Sequence, residues 1–273
     1  MCYYNSQKVT RAEFIRLKQL EREVRRYNFL NVGVHNGIMF QPAAIAVANA
    51  DKTNFDIVQA QWGYVPASTK SREEALAFLR RYLTMNFKGE NLFTNDEGRR
   101  SMWADAVKNK RRCLVLSTGI VESRHVEKLG KKGQVLASKD KYPYMVTLKE
   151  QEYFWFPGLY NQWLDPDTGE LVYCFALGTT PANSLMKQIH NSKERMPSIL
   201  NEDQAYEWLM GDPDEERLKK LALAQVPSKD MEYCTISKEY LTSREAVSQH
   251  YPERAPIEMS YMDTTETLVH AAA

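Results

Sequence analysis

The sequence predicts a single domain that is α+β or mainly β. Many short apolar runs separated by turn residues indicate strands, a few segments with helical periodicity lie between them, and no strand–helix–strand rhythm recurs. The chain has 273 residues, of which 43% are hydrophobic and 26% charged. A chain of this size buries a sizeable core without disulfides, so one large domain is expected.

Three segments are predicted to be helical. Each begins at a residue that commonly caps a helix, as in the capping-box pattern Ser71-x-x-Glu74, and continues with apolar residues at helical spacing. The predicted helices cover residues 10–27, 71–83 and about 201–210.

The strands are predicted from apolar or alternating runs that end at glycine, proline or aspartate. Gly119 interrupts one of these runs, and Asp167-x-Gly169 supplies a turn between the last two. The predicted strands lie within residues 38–48, 55–65, 111–122, 143–148, 153–160 and 171–179. The sequence from 258 to 273 has little pattern, so we expect a domain over 1–257 followed by a flexible tail.

Cysteine usage and motif content exclude several classes of protein. The four cysteines are far apart in sequence and include no CxxC pair, which argues against a zinc site or a disulfide framework and favours a reducing cytoplasm. No GxGxxG, Walker, HExxH or GxSxG motif is present, so neither a cofactor nor a metal is expected. No apolar run approaches the ~20 residues of a membrane span, and the N-terminus is too polar for a signal peptide.

The net charge of +1 does not by itself indicate a nucleic-acid-binding protein. Charge is unevenly distributed, however, because Lys and Arg outnumber Asp and Glu between Arg99 and Lys141. This stretch is either one side of a phosphate-binding groove or a solvated basic loop.

Cys2 is the most reactive candidate residue. Removal of Met1 by methionine aminopeptidase would leave an amine of pKa about 7.7–8.0 and a thiol of pKa about 8.5 on one residue. An aldehyde can form an imine with that amine, and the thiol can then close a thiazolidine ring. An acyl group could instead be taken by the thiolate. From its position alone, Cys2 is either a nucleophile of one of these kinds or a bystander.

Four further positions have two readings each. Glu122 follows an apolar strand and is either the first solvated residue beyond it or an acid in a dry pocket. His190 is either a surface residue at the end of a helix or a catalyst. Asn86 lies in what is either an ordinary polar loop or a pocket. Trp62, in an aromatic loop, is either part of the core or a platform for stacking an unpaired base.

The order of these residues along the chain resembles the SRAP family, the abasic-site processing proteins. The similarity runs from residue 2 to about 237. Its pieces are Cys2, Trp62-Gly63-x-x-Pro66, Asn86-x-Lys88-x-Glu90, Arg111-Arg112-Cys113-Leu114-Val115 with Gly119-x-x-Glu122, Gly158-Leu159-Tyr160, Thr179-Thr180-x-Ala182-Asn183, and His190 before Arg195-Met196-Pro197.

The resemblance implies a single compact domain with a β-barrel-like core of mainly antiparallel strands and peripheral helices. It also implies a positively charged groove for single-stranded DNA that contains abasic sites. Members of the family lose Met1, through a peptidase-type self-processing step, and trap the ring-opened abasic-site aldehyde as a thiazolidine crosslink. Lyase activity is a further possibility for the family, and we expect a monomer without cofactor or metal.

The resemblance also assigns roles to residues. Cys2 would be the nucleophile, Asn86 a hydrogen-bonding pocket residue, Glu122 the proton shuttle, and His190 the residue that assists ring opening and crosslink resolution. The expected DNA contacts are Tyr3, Tyr4, Trp62, Lys88, Arg111, Arg112 and Arg195.

The chain departs from the family pattern at several positions. Tyr3-Tyr4 replaces the usual Gly-Arg, Lys88 stands where arginine is usual, and Ser123 follows Glu122 in place of tryptophan. Four residues separate His190 from Arg195, where the family usually has one. Base stacking beside the lesion is therefore expected to come from Tyr3 or Tyr4.

Two other functions compete with abasic-site crosslinking. The first is an N-terminal-cysteine peptidase or amidohydrolase, which needs an oxyanion hole and an amide substrate. The second is a binding module without chemistry, which recognises single strands by charge and aromatic stacking.

Overall fold

The computed structural model describes residues 2–6, 33–251 and 257. Over these residues the protein is α+β, as predicted. The strands are β1 (Tyr4–Ser6), β2 (Val34–Asn36), β3 (Pro42–Ala48), β4 (Phe55–Trp62), β5 (Asn86–Lys88), β6 (Arg112–Ser117), β7 (Gly119–Leu129), β8 (Val135–Leu148), β9 (Phe154–Leu164), β10 (Leu171–Pro181), β11 (Arg195–Pro197) and β12 (Met231–Thr235). The helices are α1 (Arg72–Tyr82), α2 (Ala104–Lys108), α3 (Ser184–Ile189), α4 (Glu202–Met210), α5 (Glu215–Ala222) and α6 (Tyr240–Ser243).

Five strands close a barrel in the order β10-β4-β3-β6-β9, with β9 pairing back onto β10. All of these pairs are antiparallel except β10 with β4. β5 adds to β10 in parallel and β11 adds to it antiparallel. The barrel-like core of mainly antiparallel strands that the resemblance implied is therefore confirmed.

The second sheet is antiparallel, with the strand order β12-β8-β7-β1-β2. Its longest strands, β7 and β8, form a hairpin that is buried near the barrel and exposed towards its tip. β1 is inserted between β7 and β2, so that both of its edges are hydrogen-bonded.

Alternate residues of the barrel strands face two different apolar clusters, as the two-residue period of a strand requires. On β3, for example, Ile45 packs into one cluster and Ala46 into the other. The first cluster also contains Ile120 and Val146 of the second sheet, so it joins the two sheets. The second lies under α4 and α5, where the indole N–H of Trp208 donates to the carbonyl oxygen of Cys113 at 3.0 Å.

Elements with strong local signals lie where the sequence predicts them. Ser71 caps α1 by accepting from the backbone N–H of Glu74, and Asn201 begins α4 with a complete capping box. The run from residue 111 to 122 divides at Gly119 into β6 and β7, as predicted.

Other elements were missed or lie elsewhere. The predicted strand at 143–148 is the end of the much longer β8, and β1, β2 and α5 had no recognised signal. The predicted helix over 10–27 and the predicted tail over 258–273 lie outside the described residues. Within the described part of the chain, no helix is both long and apolar enough to cross a membrane.

Trp62 is a core residue, which corrects its interpretation as part of a stacking surface. The side chain is 1% exposed and stacks on Phe175 with ring centroids 5.9 Å apart. Its indole N–H donates to the carbonyl oxygen of Met85 at 2.9 Å. In this position it presents no face to a base.

Trp62→Ala is expected to lower the free energy of unfolding by about 3–5 kcal/mol, because it leaves a large cavity in the barrel. Trp62→Phe keeps a ring against Phe175 but removes the indole donor to the Met85 carbonyl, which still accepts from the backbone N–H of Leu177. A smaller loss of about 1–3 kcal/mol is expected from the lost hydrogen bond and the smaller ring. Equilibrium urea unfolding measures both losses.

Tyr206→Ala is the control, because Tyr206 is 67% exposed, and a change within about 0.5 kcal/mol is expected. A Trp62→Ala variant that is as stable as this control would contradict the core position of Trp62.

Candidate active site

Cys2 is held where the second sheet meets the barrel. It lies just before β1, whose Tyr4 pairs with Val121 of β7 on one side and with Asn36 of β2 on the other. This double pairing draws Cys2 into the interior, where it is 1% exposed.

Asn86 ties this segment to the barrel. β5 carries Asn86 opposite Leu177 of β10, and the Asn86 side-chain amide donates a 2.7 Å hydrogen bond to the backbone carbonyl of Cys2. The Oδ1 atom of Asn86 is buried and has no hydrogen-bond partner among the described residues. Asn86 thus positions Cys2 and keeps one acceptor free.

Cys2, Glu122 and His190 form one buried cluster. The thiol sulfur, a carboxylate oxygen and a ring nitrogen lie within 4.8 Å of one another. Glu122 comes from β7, opposite Tyr144 of β8, whereas His190 caps the C-terminal end of α3 and contacts the backbone of Arg195 on β11. Three residues far apart in sequence therefore meet, as the resemblance implies.

Burial controls the protonation of Glu122. Loss of solvation raises the pKa of this carboxyl from 4.5 to about 7, and a hydrogen bond with Cys2 opposes part of the shift. The Oε1 atom is buried without a hydrogen-bond partner in the described structure. The dry-pocket interpretation of Glu122 therefore fits the structure, and the group can accept or release a proton near neutral pH.

His190 is shifted in the opposite direction. Burial lowers the pKa of its imidazole to about 4. Its Nδ1 lies 2.7 Å from the backbone carbonyl oxygen of Arg195, which can only accept, so Nδ1 carries the proton. Nδ1 is also 3.6 Å from Oε1 of Glu122. The neutral ring keeps the lone pair on Nε2.

The thiol of Cys2 is not activated in the resting site. Burial raises its pKa well above the ordinary value, and the neighbouring Glu122 carboxylate raises it further. The sulfur therefore needs a base beside it before it can attack, and Glu122 is the group with which it shares a hydrogen bond.

Arg195 positions His190 through its backbone carbonyl. Its guanidinium forms a two-point ion pair with Glu90 and donates to the carbonyl oxygen of Thr179 at 2.7 Å. The side chain is 15% exposed. The structure therefore places Arg195 as the residue whose backbone holds His190, with its charge already paired, and not as a free phosphate contact.

A pocket of about 410 Å³ opens beside Glu122 and His190. Tyr3 and Tyr4 line it, together with Ser123. The ring of Tyr4 meets Tyr240 edge to face, with centroids 5.4 Å apart. The rings of Tyr3, Tyr4 and Tyr240 thus line the pocket together with Ser123, which occupies the position where the family usually has tryptophan.

The cations at the pocket differ from those proposed from sequence. Lys141, Lys193 and Lys238 line it, and none of them was singled out. Lys141 ends the basic stretch and Lys193 lies in the lengthened loop after His190. These positions are weak indications in the sequence that the two lysines belong to the site. Lys238 has no such signal, because only the packing of the chain near α6 brings it to the pocket.

All four basic residues expected to contact DNA, Arg195 and the three that follow, lie outside the pocket lining. Arg112 is buried and donates to the carbonyl oxygen of Gly211 at 2.6 Å, so its position corrects the expectation of a phosphate contact. Arg111 is half-buried and hydrogen-bonds Tyr64. Lys88 is exposed and pairs with Asp96 at 2.9 Å.

Fold and cluster together define a β-barrel protein with a thiol, a carboxyl and an imidazole buried beside its N-terminal strand. A model of the family described as SOS response associated peptidase (SRAP) matches residues 1–241. The chain belongs to the SRAP family.

Relatives of known name are similar over part of their length. "Abasic site processing protein YoqW" of Bacillus subtilis (strain 168) is 27% identical over 58% of this chain, and the chain spans 59% of that protein. YobE of the same organism, also named an abasic site processing protein, is 26% identical over 73% of this chain and 79% of its own. "Abasic site processing protein HMCES" of Xenopus tropicalis is 23% identical over 67% and 50%.

Solved structures share the fold. A crystal structure of a protein from Bacteroides thetaiotaomicron superimposes with a TM-score of 0.70 at 27% identity, covering 88% of this chain and 94% of that one. One from Bordetella bronchiseptica gives a TM-score of 0.62 at 15% identity, covering 86% and 100%.

Glu122→Gln is expected to change the pH dependence of stability. Between pH 4.5 and about 7 the native protein keeps a proton on Glu122 that the unfolded chain has released, so wild-type stability falls as pH rises through this window. Gln does not titrate. The free energy of unfolding of the variant minus that of wild type should therefore increase across the window, by on the order of 1–3 kcal/mol.

Urea unfolding at a series of pH values measures this difference. His190 destabilises both proteins as pH falls from 6.5 to about 4, so its effect largely cancels. Glu127→Gln, an exposed position on the same strand, is the control and should give a flat difference. If the difference in free energy of unfolding between Glu122→Gln and wild type does not change with pH, the Glu122 carboxyl is solvated in the native protein.

Proposed function

We propose that the protein processes abasic sites in single-stranded DNA by forming a thiazolidine crosslink through Cys2 after removal of Met1. The observation that carries the proposal is the cluster in which the Cys2 sulfur, Glu122 and His190 lie within 4.8 Å of one another in a buried site. The names of YoqW, YobE and HMCES as abasic site processing proteins support the same function.

The chemistry has two bond-forming stages. The freed amine of Cys2 adds to the aldehyde carbon of the ring-opened sugar, and loss of water gives an imine. The thiol then adds to the imine carbon, its proton passes to the nitrogen, and the thiazolidine ring closes. No oxidant, metal or cofactor is consumed.

Each step of this reaction requires a proton to be transferred to or from a particular atom. Glu122, with a pKa of about 7, is suited to donate the proton that opens the sugar ring or expels water, and to take the thiol proton when sulfur attacks. Neutral His190 offers an acceptor on Nε2 for the hydroxyl that is deprotonated when the sugar opens. Asn86 holds the Cys2 backbone during these steps.

The lining of the pocket supports an unpaired strand as the substrate. Tyr3 and Tyr4 offer ring faces for a base next to the lesion, in the absence of the usual tryptophan. Lys141 and Lys193, both exposed, line the pocket and supply positive charge for the phosphates of the strand. A base within an intact duplex would have to be unstacked before its sugar could enter.

The competing peptidase function is better understood as maturation. The family description as a peptidase agrees with cleavage after Met1, which the proposed chemistry requires. Acyl transfer to other substrates would need donors for an oxyanion, but the side-chain amide of Asn86 already donates to Cys2.

Cys2→Ala is expected to abolish the covalent adduct with an abasic single-stranded oligonucleotide, because it removes the thiol that closes the ring. Glu122→Gln is expected to slow adduct formation by about 10²–10⁴-fold, as for loss of a general acid–base group. Denaturing gel electrophoresis over time measures both effects.

Cys234→Ser is the matched control, because Cys234 is an exposed free cysteine on β12, and the adduct of this variant should form at the wild-type rate. An adduct that survives Cys2→Ala would contradict the mechanism. Release of product from amides without any adduct would favour the peptidase. Binding without an adduct by the wild-type protein would favour a module without chemistry.

Lys141→Gln and Lys193→Gln should each weaken single-strand binding in a salt-dependent way. Removing one phosphate contact is expected to reduce the slope of log affinity against log salt by about 0.7. Fluorescence anisotropy with an oligonucleotide lacking the lesion measures this slope without interference from crosslinking.

Lys149→Gln, at an exposed position one residue beyond the end of β8, serves as the control and should leave the slope unchanged. If the Lys141→Gln and Lys193→Gln variants give the same slope of log affinity against log salt as the control, the strand binds elsewhere on the protein.

A further inference from the structure

We propose that the buried Cys2–Glu122–His190 cluster also binds a divalent zinc ion, which holds the N-terminal thiol in a capped, unreactive form. Thiolate, imidazole and carboxylate are the side chains that zinc takes as ligands. The cluster brings one of each together, and among the described residues it is the only such group of three.

The spacing of the ligand atoms suits a small ion. Zinc binds sulfur at about 2.3 Å and nitrogen or oxygen at about 2.0–2.2 Å, so ligand atoms around a tetrahedral ion lie about 3.3–3.7 Å apart. The three atoms here lie within 4.8 Å of one another. An ion bound here would therefore draw the ligand atoms together by about 1 Å.

His190 already has the arrangement of a ligating histidine. Histidines bound to zinc usually donate their second ring N–H to a carboxylate, a carbonyl or a water. Here Nδ1 donates to the Arg195 carbonyl at 2.7 Å, and the Arg195 side chain is fixed by Glu90 and Thr179. The ring is thus oriented before any ion arrives.

An unpartnered acceptor provides a second, independent observation. Oε1 of Glu122 is buried and has no hydrogen-bond partner in the described structure, and the same is true of Oδ1 of Asn86. A buried acceptor without a partner costs free energy. A cation would satisfy the Glu122 oxygen and neutralise the thiolate and carboxylate together.

The fourth ligand would be the amine of Cys2. Once Met1 is removed, nitrogen and sulfur of one residue can close a five-membered chelate ring on the ion. Binding displaces the thiol proton to solvent and changes no oxidation state. These are the two atoms that the proposed crosslink uses, so the ion and the aldehyde exclude each other. This consequence rests on the proposed function, whereas metal binding itself does not.

Cobalt(II) is the probe for the site, because a cobalt–thiolate bond gives an absorption band that zinc then abolishes by displacement. The processed protein, with loss of Met1 verified by intact mass, is expected to give this band at one equivalent of Co²⁺. Cys2→Ser should abolish it. Glu122→Gln and His190→Ala should each weaken metal binding by at least about 10–100-fold, the loss that follows when only a hydrogen-bond partner of a ligand is removed, with folding checked by circular dichroism.

Cys234→Ser is the control and should leave the band unchanged. Absence of the band, its persistence in Cys2→Ser, or equal affinity in the Glu122→Gln and His190→Ala variants would overturn the proposal.

A second measurement needs no variant. Zn²⁺ is expected to slow alkylation of Cys2 by iodoacetamide more than tenfold, with exposed Cys234 as the internal reference. Equal slowing of both cysteines, or of neither, would contradict a site at Cys2. Formation of the DNA adduct is measured separately, with and without EDTA. If no adduct forms in EDTA, where the site holds no metal, the proposed function is contradicted, whereas the metal-binding result still stands.

Discussion

The insertion of β1 between β7 and β2 is the constraint on which the rest of the site depends. Chain ends usually fray, because few contacts hold them. Here both edges of β1 are paired, and Asn86 adds a hydrogen bond from the barrel to the carbonyl of Cys2. Cys2 is therefore buried beside Glu122 of one sheet and His190 of the barrel side. The thiol, the carboxyl and the imidazole meet at this junction.

Burial at the junction then sets the chemistry. Loss of solvation moves the pKa of Glu122 up to about 7 and that of His190 down to about 4, because each shift favours the neutral form. The two groups can thus share a site with a thiol without accumulating charge. Burial also leaves one carboxylate oxygen of Glu122 without a hydrogen-bond partner among the described residues. Both the proposed aldehyde chemistry and the proposed zinc site use this unsatisfied, protonatable oxygen.

The departures from the family pattern are accommodated by specific side-chain contacts. The lengthened loop after His190 is anchored by Asn191, which accepts from the backbone N–H of His125 at 2.9 Å and donates to its carbonyl at 2.8 Å. Ser123 hydrogen-bonds Tyr240, whose ring packs against Tyr4. The sequence indicated which residues were unusual. It could not indicate these contacts, because each joins segments that are far apart along the chain.

The sequence by itself determined the elements that local physics specifies: the capped helices α1 and α4, the apolar strands β3 and β6, and, through the order of its motifs, the family and the members of the Cys2 cluster. The tertiary structure decided which side chains are available. Burial placed Trp62 and Arg112 in the interior, ion pairing occupied Arg195, and long-range packing brought Lys238 to the pocket. Exposure and pairing depend on which distant strands meet, and no local pattern encodes that.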